Sequence, residues 1–346
     1  MVYVYIPVTI TNSESTATST DFQQLVTVDL SYYSAFLNQD LSNTFFSSDT
    51  AGSIIVTSWL ESGNTYPFSS VNFWIYLTGS IPANSSITIY LQVDLTGTSH
   101  FNTTTTGVAP QLSSTYAEYD DGANVFTEYW NFAGTTLPSA FTNLTTGGTF
   151  SYTVDNGLTL TGYSSASDTN YALHIYTTAQ YAPSIIEADI YSASLQTAAS
   201  WELAYTTTAP NTSVTNDTGF VNDYRLDWFN SDFRLIKDVS GLDVVLRFKY
   251  TGSTNTGIMS LAFPATGTEI VYLNYADMES ATDTSITYAD ANLDVALVSS
   301  STSSSTFSIY WLRTRSYPPN GVMPFVTAGT PSNFPYYNTT TYEDLL

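Results

Sequence analysis

Alternate residues of a β-strand point to one side, so two carboxylates at positions i and i+2 can flank a glycosidic bond as acid and nucleophile. The run Glu187-Ala-Asp189-Ile-Tyr-Ser192 matches the Glu-x-Asp-x-x-Glu pattern of such strands at its first two acidic positions. Ser192 stands where the last carboxylate belongs. The pair is therefore incomplete, and Glu187 and Asp189 read as solvent-facing strand residues. A second constellation, Asp120-Asp121-Gly122-Ala123-Asn124, gathers oxygen ligands on a loop. Asp120, Asp121 and Asn124 are thus the candidates for a structural calcium, although the spacing fits no EF-hand and an Asp-Asp-Gly turn accounts for it equally well. Asp277, Glu279 and Asp283 form a further acidic loop.

Other chemistries are excluded by residue type. The chain has no cysteine and 2 histidines, which rules out disulfides, thiolate zinc sites, cysteine nucleophiles and any three-histidine metal site. No Gly-x-Ser-x-Gly elbow occurs, and His100 and His174 read as structural. No catalytic residue is assigned and the chain is expected not to be an enzyme. Asn-x-Ser/Thr sequons stand at Asn84, Asn102, Asn143, Asn211, Asn216 and Asn338, a number that a Ser- and Thr-rich chain produces by composition alone. All except Asn84 fall in expected loops, where a glycan can be attached.

The 346 residues carry 7 Lys and Arg against 30 Asp and Glu, a formal net charge of −23. All the bases lie between Arg225 and Arg315. Nucleic acid is excluded as a partner, because neutralising phosphates needs clustered cations. Arg225, Arg234, Lys237, Arg247 and Lys249 interleave with Asp227, Asp232, Asp238 and Asp243, a pattern that predicts cross-strand ion pairs. So few cations can pair with few carboxylates, and little of the stability is expected to rest on ion pairs that acid would break. The composition suits an acidic external medium. The hydrophobic share of 43% with 15% aromatic residues is that of a folding chain, and no apolar run is long enough for a membrane-spanning helix. The start has no basic residue and alternates like a strand, so the chain reads as mature from Met1.

Positioning these residues falls to β-strands throughout. Period-two alternation and short β-branched or aromatic runs recur from Val2–Ile10 to Phe307–Arg315, broken by Ser, Thr, Asn, Gly and Pro clusters. Asn156-Gly157 between two alternating runs predicts a hairpin with a two-residue type I′ turn. Ser285–Tyr288 reads as another strand. The Thr-rich stretch Asn102–Ser114 predicts the domain boundary, and Pro318-Pro319-Asn320-Gly321 opens a Pro-, Thr- and Tyr-rich end. The expected organisation is all-β: a β-sandwich over 1–114, a second over 115–326, and an extended arm over 327–346, frayed or lying on a neighbouring subunit.

The opening Tyr5-Ile-Pro-Val-Thr-Ile-Thr-Asn12, with Ser58-Trp-Leu-Glu-Ser-Gly63, Trp74-Ile-Tyr76 and Ile81-Pro-Ala-Asn-Ser-Ser-Ile-Thr-Ile-Tyr90, resembles domain-of-unknown-function family 2341 of archaeal and bacterial surface proteins. Glu118–Phe126 and Asn131–Thr135 resemble the entry into a concanavalin A-like sandwich, and Tyr310–Pro324 the exit of that sandwich in thermoacidophilic archaeal members. The resemblance implies a surface or extracellular setting, jelly-roll-like domains and no established activity. Many members of the family are longer surface proteins, and the expectation drawn from this chain's shorter length and lack of an obvious signal is a structural protein of an archaeal virion, as spike, turret, fibre or capsid-associated part, rather than a cell-envelope protein. Expected partners are further copies, other virion or envelope proteins, and host surface glycans. A lectin-like module and a glycoside hydrolase of concanavalin-like fold are the alternatives.

Overall fold

The computed structural model describes residues 3–182, 184–212, 218–250, 252, 254–264, 267–286 and 290–332. The chain divides into two units, 1–126 together with 318–346, and 127–317. Each is a pair of antiparallel-rich sheets enclosing its own core.

In the first unit β1 (Tyr3–Asn12), β2 (Phe22–Val28), β3 (Thr44–Ser47) and β4 (Ile55–Val56) are followed by β5 (Ser58–Ser62), β6 (Val71–Leu77), β7 (Ser85–Asp94) and β8 (Thr106–Val108). One sheet runs β4, β3, β7, β1 and a late strand, Phe325–Ala328; the other runs β2, β6, β5, β8. The alternation read from the sequence is physical: Val4, Ile6, Val8 and Ile10 of β1 are buried while Tyr3, Tyr5, Pro7 and Thr9 are half-exposed. Only one inward face per strand meets the core.

The second unit adds β9 (Glu128–Trp130), β10 (Phe141–Thr145), β11 (Thr149–Val154), β12 (Leu158–Tyr163) and β13 (Tyr171–Thr177). β14 (Ile185–Ser194), β15 (Ala199–Thr206), β16 (Asp223–Phe229), β17 (Asp232–Val239) and β18 (Leu242–Tyr250) follow. β19 (Gly257–Ala262), β20 (Thr268–Leu273), β21 (Ala276–Thr282), β22 (Asn292–Ser299) and β23 (Ser305–Arg315) complete it. A seven-stranded sheet runs β10-β13-β22-β15-β16-β17-β18; the other sheet runs β11-β12-β23-β14-β19-β20-β21, with β9 also paired to β23. Trp201, Leu203 and Tyr205 of β15 and Tyr224, Leu226 and Trp228 of β16 face the core between them.

Several local expectations are corrected. The Thr-rich stretch Asn102–Ser114 is not a linker: Thr106, Gly107 and Val108 are buried and pair in parallel with β5, so the chain changes unit at Phe126 rather than at 114. Three strand residues hidden in a run of threonines carry too little periodicity to be read. The second unit ends at Tyr317 rather than 326. The segment 327–346 is no free arm where it is described: β24 (Phe325–Ala328) pairs antiparallel with β1, and Ser332 bridges to Tyr5. The hairpin after β11 forms, but Val154 pairs with Leu158 across a three-residue loop with Asn156 and Gly157 at positive φ, not a two-residue turn. Ser285 and Ile286 lie outside any strand, and the rest of that expected strand falls outside the described residues.

Candidate functional site

The outward face of the seven-stranded sheet carries the densest chemistry in the second unit. Cross-strand register sets His174, Ala296, Glu202, Asp227, Arg234 and Phe248 in one row across β13, β22, β15, β16, β17 and β18. The next rows place Ala204, Arg225, Ile236 and Val245 side by side, then Thr206, Asp223, Asp238 and Asp243. On β15 and β16 the residues between them in sequence, Trp201, Leu203, Tyr205, Tyr224, Leu226 and Trp228, are core-facing, so period two turns the charges outward; Lys237 of β17 is a charged residue on the inner side. A groove of about 330 Å³ opens here, lined by Ser200, Glu202, Thr218, Arg225, Asp227, Phe229, Arg234 and Asp243 among others.

Arg225 is the hub. Its Nε lies 2.8 Å from Glu202, Nη1 2.8 Å from Asp223 and Nη2 2.6 Å from Asp243, and its guanidinium sits 4.5 Å from the Phe220 ring centroid. Glu202 also accepts from Ser200 Oγ at 2.9 Å. Arg234 grips Asp227 with two donors and stacks 4.3 Å over Phe229. The carboxylates outnumber the guanidiniums, and burial disfavours their charge. Burial, against the pull of Arg225, pushes Glu202 up to about 7 and Asp223 up to about 8; Asp227 and Asp238 are raised by burial as well. Thr218 Oγ1 and Asp223 Oδ2 are buried with no hydrogen-bond partner among the described residues, and Glu202 Oε2 and Arg225 Nε meet as an ion pair without hydrogen-bond geometry.

His174 lies beneath this network, fully buried, with Nδ1 2.7 Å from Asp294 and Nε2 2.6 Å from the Thr218 carbonyl oxygen. An acidic side chain and a carbonyl oxygen at the two ring nitrogens favour the doubly protonated imidazolium form. Burial opposes that charge, but Asp294 outweighs it and the pKa is raised. The ring packs edge-on to Phe220 at 4.7 Å. This histidine is structural, anchoring the segment at Thr218 to the sheet.

The carboxylates singled out by spacing lie on the other sheet and do not form an acid–nucleophile pair. Glu187 is not solvent-facing but fully buried: Oε2 accepts from Arg313 at 2.8 Å, and Oε1 from Arg315 at 2.9 Å and Ser260 at 3.0 Å. Burial raises its pKa, but Arg315 and Arg313 overcome that and hold it below the usual carboxylate range. Asp189 is half-exposed and Ser192 exposed. The reason is tertiary: both arginines come from β23, more than a hundred residues away in sequence.

Of the three calcium candidates, Asp120 and Asn124 make hydrogen bonds to other groups, whereas neither carboxyl oxygen of buried Asp121 has a hydrogen-bond partner among the described residues. Asp120 Oδ1 accepts from the Trp59 indole at 2.8 Å and the Gly122 amide at 3.0 Å, while the Asn124 amide donates to the Thr103 carbonyl at 3.0 Å. Asp121 is buried against Gly107, where a Cβ would sit 2.0 Å from its Oδ1, and burial with the nearby Asp120 charge pushes it up to about 8. Among the described residues no three His, Cys, Asp or Glu side chains gather to hold a metal ion. Asp277 and Glu279 lie in β21, and Asp283 instead binds Lys237 Nζ and Tyr224 Oη, both at 2.5 Å. His100 pairs with Asp94 at 3.1 Å.

Of the sequons, Asn84 is exposed in a turn and Asn143 is exposed on edge strand β10 rather than in a loop. The Asn102 side chain closes an Asx turn on Thr104 and Thr105 and donates to the His100 carbonyl. Asn211 is half-buried in a loop, and Asn216 and Asn338 lie outside the described residues. Glu202 and Asp223, the residues sequence reasoning missed, had a signal: Ser200-x-Glu202-x-Ala204-x-Thr206 and Asp223-x-Arg225-x-Asp227 keep polar or small residues on alternate positions.

No family model matches the chain. Over 334 residues it is 30% identical to uncharacterized protein 562 of Sulfolobus islandicus rod-shaped virus 1, an alignment covering 92% of this chain and 57% of that protein. The chain thus spans a little over half the length of its viral relative. Among solved structures, Bacillus licheniformis β-glucanase superposes with a TM-score of 0.42 at 12% identity, over 54% of this chain and 97% of that one. A carbohydrate-binding module, CBM66 from Bacillus subtilis, superposes at 0.34 with 15% identity, over 46% and 92%. No helix of the described residues is long and apolar enough to cross a membrane. The chain is an all-β protein homologous to a protein of an archaeal virus.

Proposed function

We propose that this protein is a non-enzymatic structural component displayed on the outside of an archaeal virus particle, with the groove of its second unit serving attachment to a polar ligand such as a host surface glycan. The observation that carries the reading is the state of the groove carboxylates. Glu202 is bound to Arg225 and Asp227 to Arg234, so both groups that would have to act as acid or nucleophile are engaged as supports. A wall of fixed donors and acceptors beside Phe229 suits recognition of hydroxyls, and the acidic excess disfavours phosphate or sulfate. Homology to a viral protein supports the setting.

Imaging native particles with an antibody to this chain tests the display: labelled exteriors are expected, and protein found only free in the host cytosol contradicts it. A glycan array tests the groove, with saturable binding lost in Phe229→Ala as the expected result. One observation favours hydrolysis as a second reading: Glu202 and Asp227 are direct cross-strand neighbours, and Glu202, pushed up to about 7, is protonated at the right pH to be an acid. Hydrolysis of any β-glucan that disappears in both Glu202→Gln and Asp227→Asn would establish it.

A further inference from the structure

Cross-strand register sets three aspartates, Asp223, Asp238 and Asp243, directly opposite one another on β16, β17 and β18. Opposed side chains have Cβ atoms about 4.5–5.5 Å apart, and like charges at such positions repel. Asp223 and Asp238 are fully buried, and the Asp243 side chain is 42% exposed. The other charged groups on this face are Glu202 of β15, Arg225 and Asp227 of β16 and Arg234 of β17. Arg234 is engaged by Asp227, which leaves Arg225 as the guanidinium facing Glu202 and the three aspartates among the described residues. Lys237 is turned inward to Asp283, and Arg247 and Lys249 stand opposite the core residues Leu235 and Phe233, so their side chains are on the inner side too. Full ionisation would therefore crowd more carboxylates into the row than its guanidinium can balance.

The hydrogen bonds show where a proton is kept. Asp238 Oδ1 accepts from the Gly241 amide at 2.6 Å and the Asn222 amide at 3.3 Å. Asp238 and Asp243 are also hydrogen-bonded to each other, and two carboxyl groups form such a bond only when one of them carries the hydrogen. Asp243 is ion-paired to Arg225 at 2.6 Å, so the proton belongs to Asp238, on the oxygen that the two amides leave open. Burial, and then the bond to Asp243, raise the pKa of Asp238 in agreement with this.

The bond sits where little else holds the chain. β18 pairs only with β17 and is exposed at eight of its nine residues, which is the pattern of a segment that opens locally at low cost. It follows the turn at Ser240 and Gly241, both at positive φ, and Asp238 closes that turn through the Gly241 amide. Through Asp243 the strand is tied to Asp238 of β17 and to Arg225 of β16.

We propose that the proton shared by Asp238 and Asp243 is a latch on β18: while it is in place the strand stays on the sheet, and once it is lost the row of aspartates repels and the strand detaches. Asp243 and Val245 line the groove, so release would remove part of its wall. An effect of release on ligand binding rests on the groove being a binding site; the latch itself does not. The sign follows from the raised pKa. The attached strand keeps a proton that the released strand gives up above about pH 4, so the latch is strongest in acid and is lost as pH rises through the folded pKa of Asp238.

Hydrogen–deuterium exchange of Leu242–Tyr250 in the full chain tests the latch without any ligand. After correction for intrinsic rates, the opening equilibrium of β18 should rise about tenfold per pH unit from about pH 4 until the proton is lost from the attached strand, and then level off. The rise should exceed that of Asn292–Ser299 in the same sheet, which gauges global unfolding. Asp238→Asn supplies the hydrogen permanently and should flatten the response while leaving β18 protected. Asp243→Asn donates to an ionised Asp238 and should flatten it too, which gives a second variant if the first does not fold by circular dichroism. A wild-type opening equilibrium that is constant between about pH 4 and pH 8 overturns the proposal. So does a rise shared equally by Asn292–Ser299, or one that survives in the folded variants and thus belongs to Glu202 or Asp223.

Discussion

Two buried arginine–carboxylate clusters of the second unit are made from the same residue types and behave oppositely. Around Glu187 one carboxylate meets two guanidiniums, Arg313 and Arg315, and its pKa is held down. Around Arg225 one guanidinium meets Glu202, Asp223 and Asp243, and burial drives Glu202 and Asp223 up. The local ratio of cations to carboxylates, not burial alone, decides which way a buried acid titrates. The first cluster needs its charges. The second tolerates neutral acids, which can then donate hydrogen bonds into the groove.

The comparison breaks most visibly if Glu187 is removed. Glu187→Ala leaves two buried guanidiniums without counter-charge and should cost about 3–5 kcal/mol in chemical unfolding. A loss below about 1 kcal/mol would mean that water or other groups replace the carboxylate.

The pH profile sharpens it next. Asp121 and Asp223 near 8 and Glu202 and Glu269 near 7 have folded pKa values above their unfolded ones, so their contribution is fully present below about pH 4 and lost as pH rises through 7 to 8. Glu187, with a depressed folded pKa, contributes above its unfolded pKa near 4.3 and loses that contribution as pH falls through its folded value. The melting temperature should therefore be higher at pH 5 than at pH 9, by on the order of 5 °C, and fall again in stronger acid as Glu187 protonates. Calorimetry across that range checks both limbs; a melting temperature that rises from pH 5 to pH 9 would reverse the assignment. The expectation that acid-sensitive ion pairs matter little thus meets an exception in Glu187.

Smaller effects separate the members of the groove. Glu202→Gln keeps the shape of an acid that is half neutral at pH 7, so the unfolding free energy should change by about 1 kcal/mol or less there and the variant should gain stability relative to wild type at pH 9. Phe229→Ala removes the ring beneath Arg234 and should cost roughly 0.5–1 kcal/mol at this partly exposed position. Denaturant melts at both pH values measure the two.

Much of the architecture was legible because strands announce themselves by alternation. Thr149–Val154 and the alternation of Val4 to Ile10 follow directly from it. Strands too short to show a period, such as Thr106–Val108 and Glu128–Trp130, were not legible. The candidate site was half legible. Arg225, Asp227 and Arg234 stood out as interleaved charges, and Arg234 does pair with Asp227 across strands, but Lys237 turns instead to Asp283, forty-six residues on.

The amino-acid order by itself determined the all-β character, the inward and outward faces of the long strands, and the scarcity of cations, since these depend on residue type and on neighbours one or two positions away. Only the tertiary structure decided which carboxylate meets which guanidinium, because the strands that meet at Glu187 and at Arg225 are brought together by sheet order. Long-range register is set by the packing of whole faces, and no short window of residues encodes it.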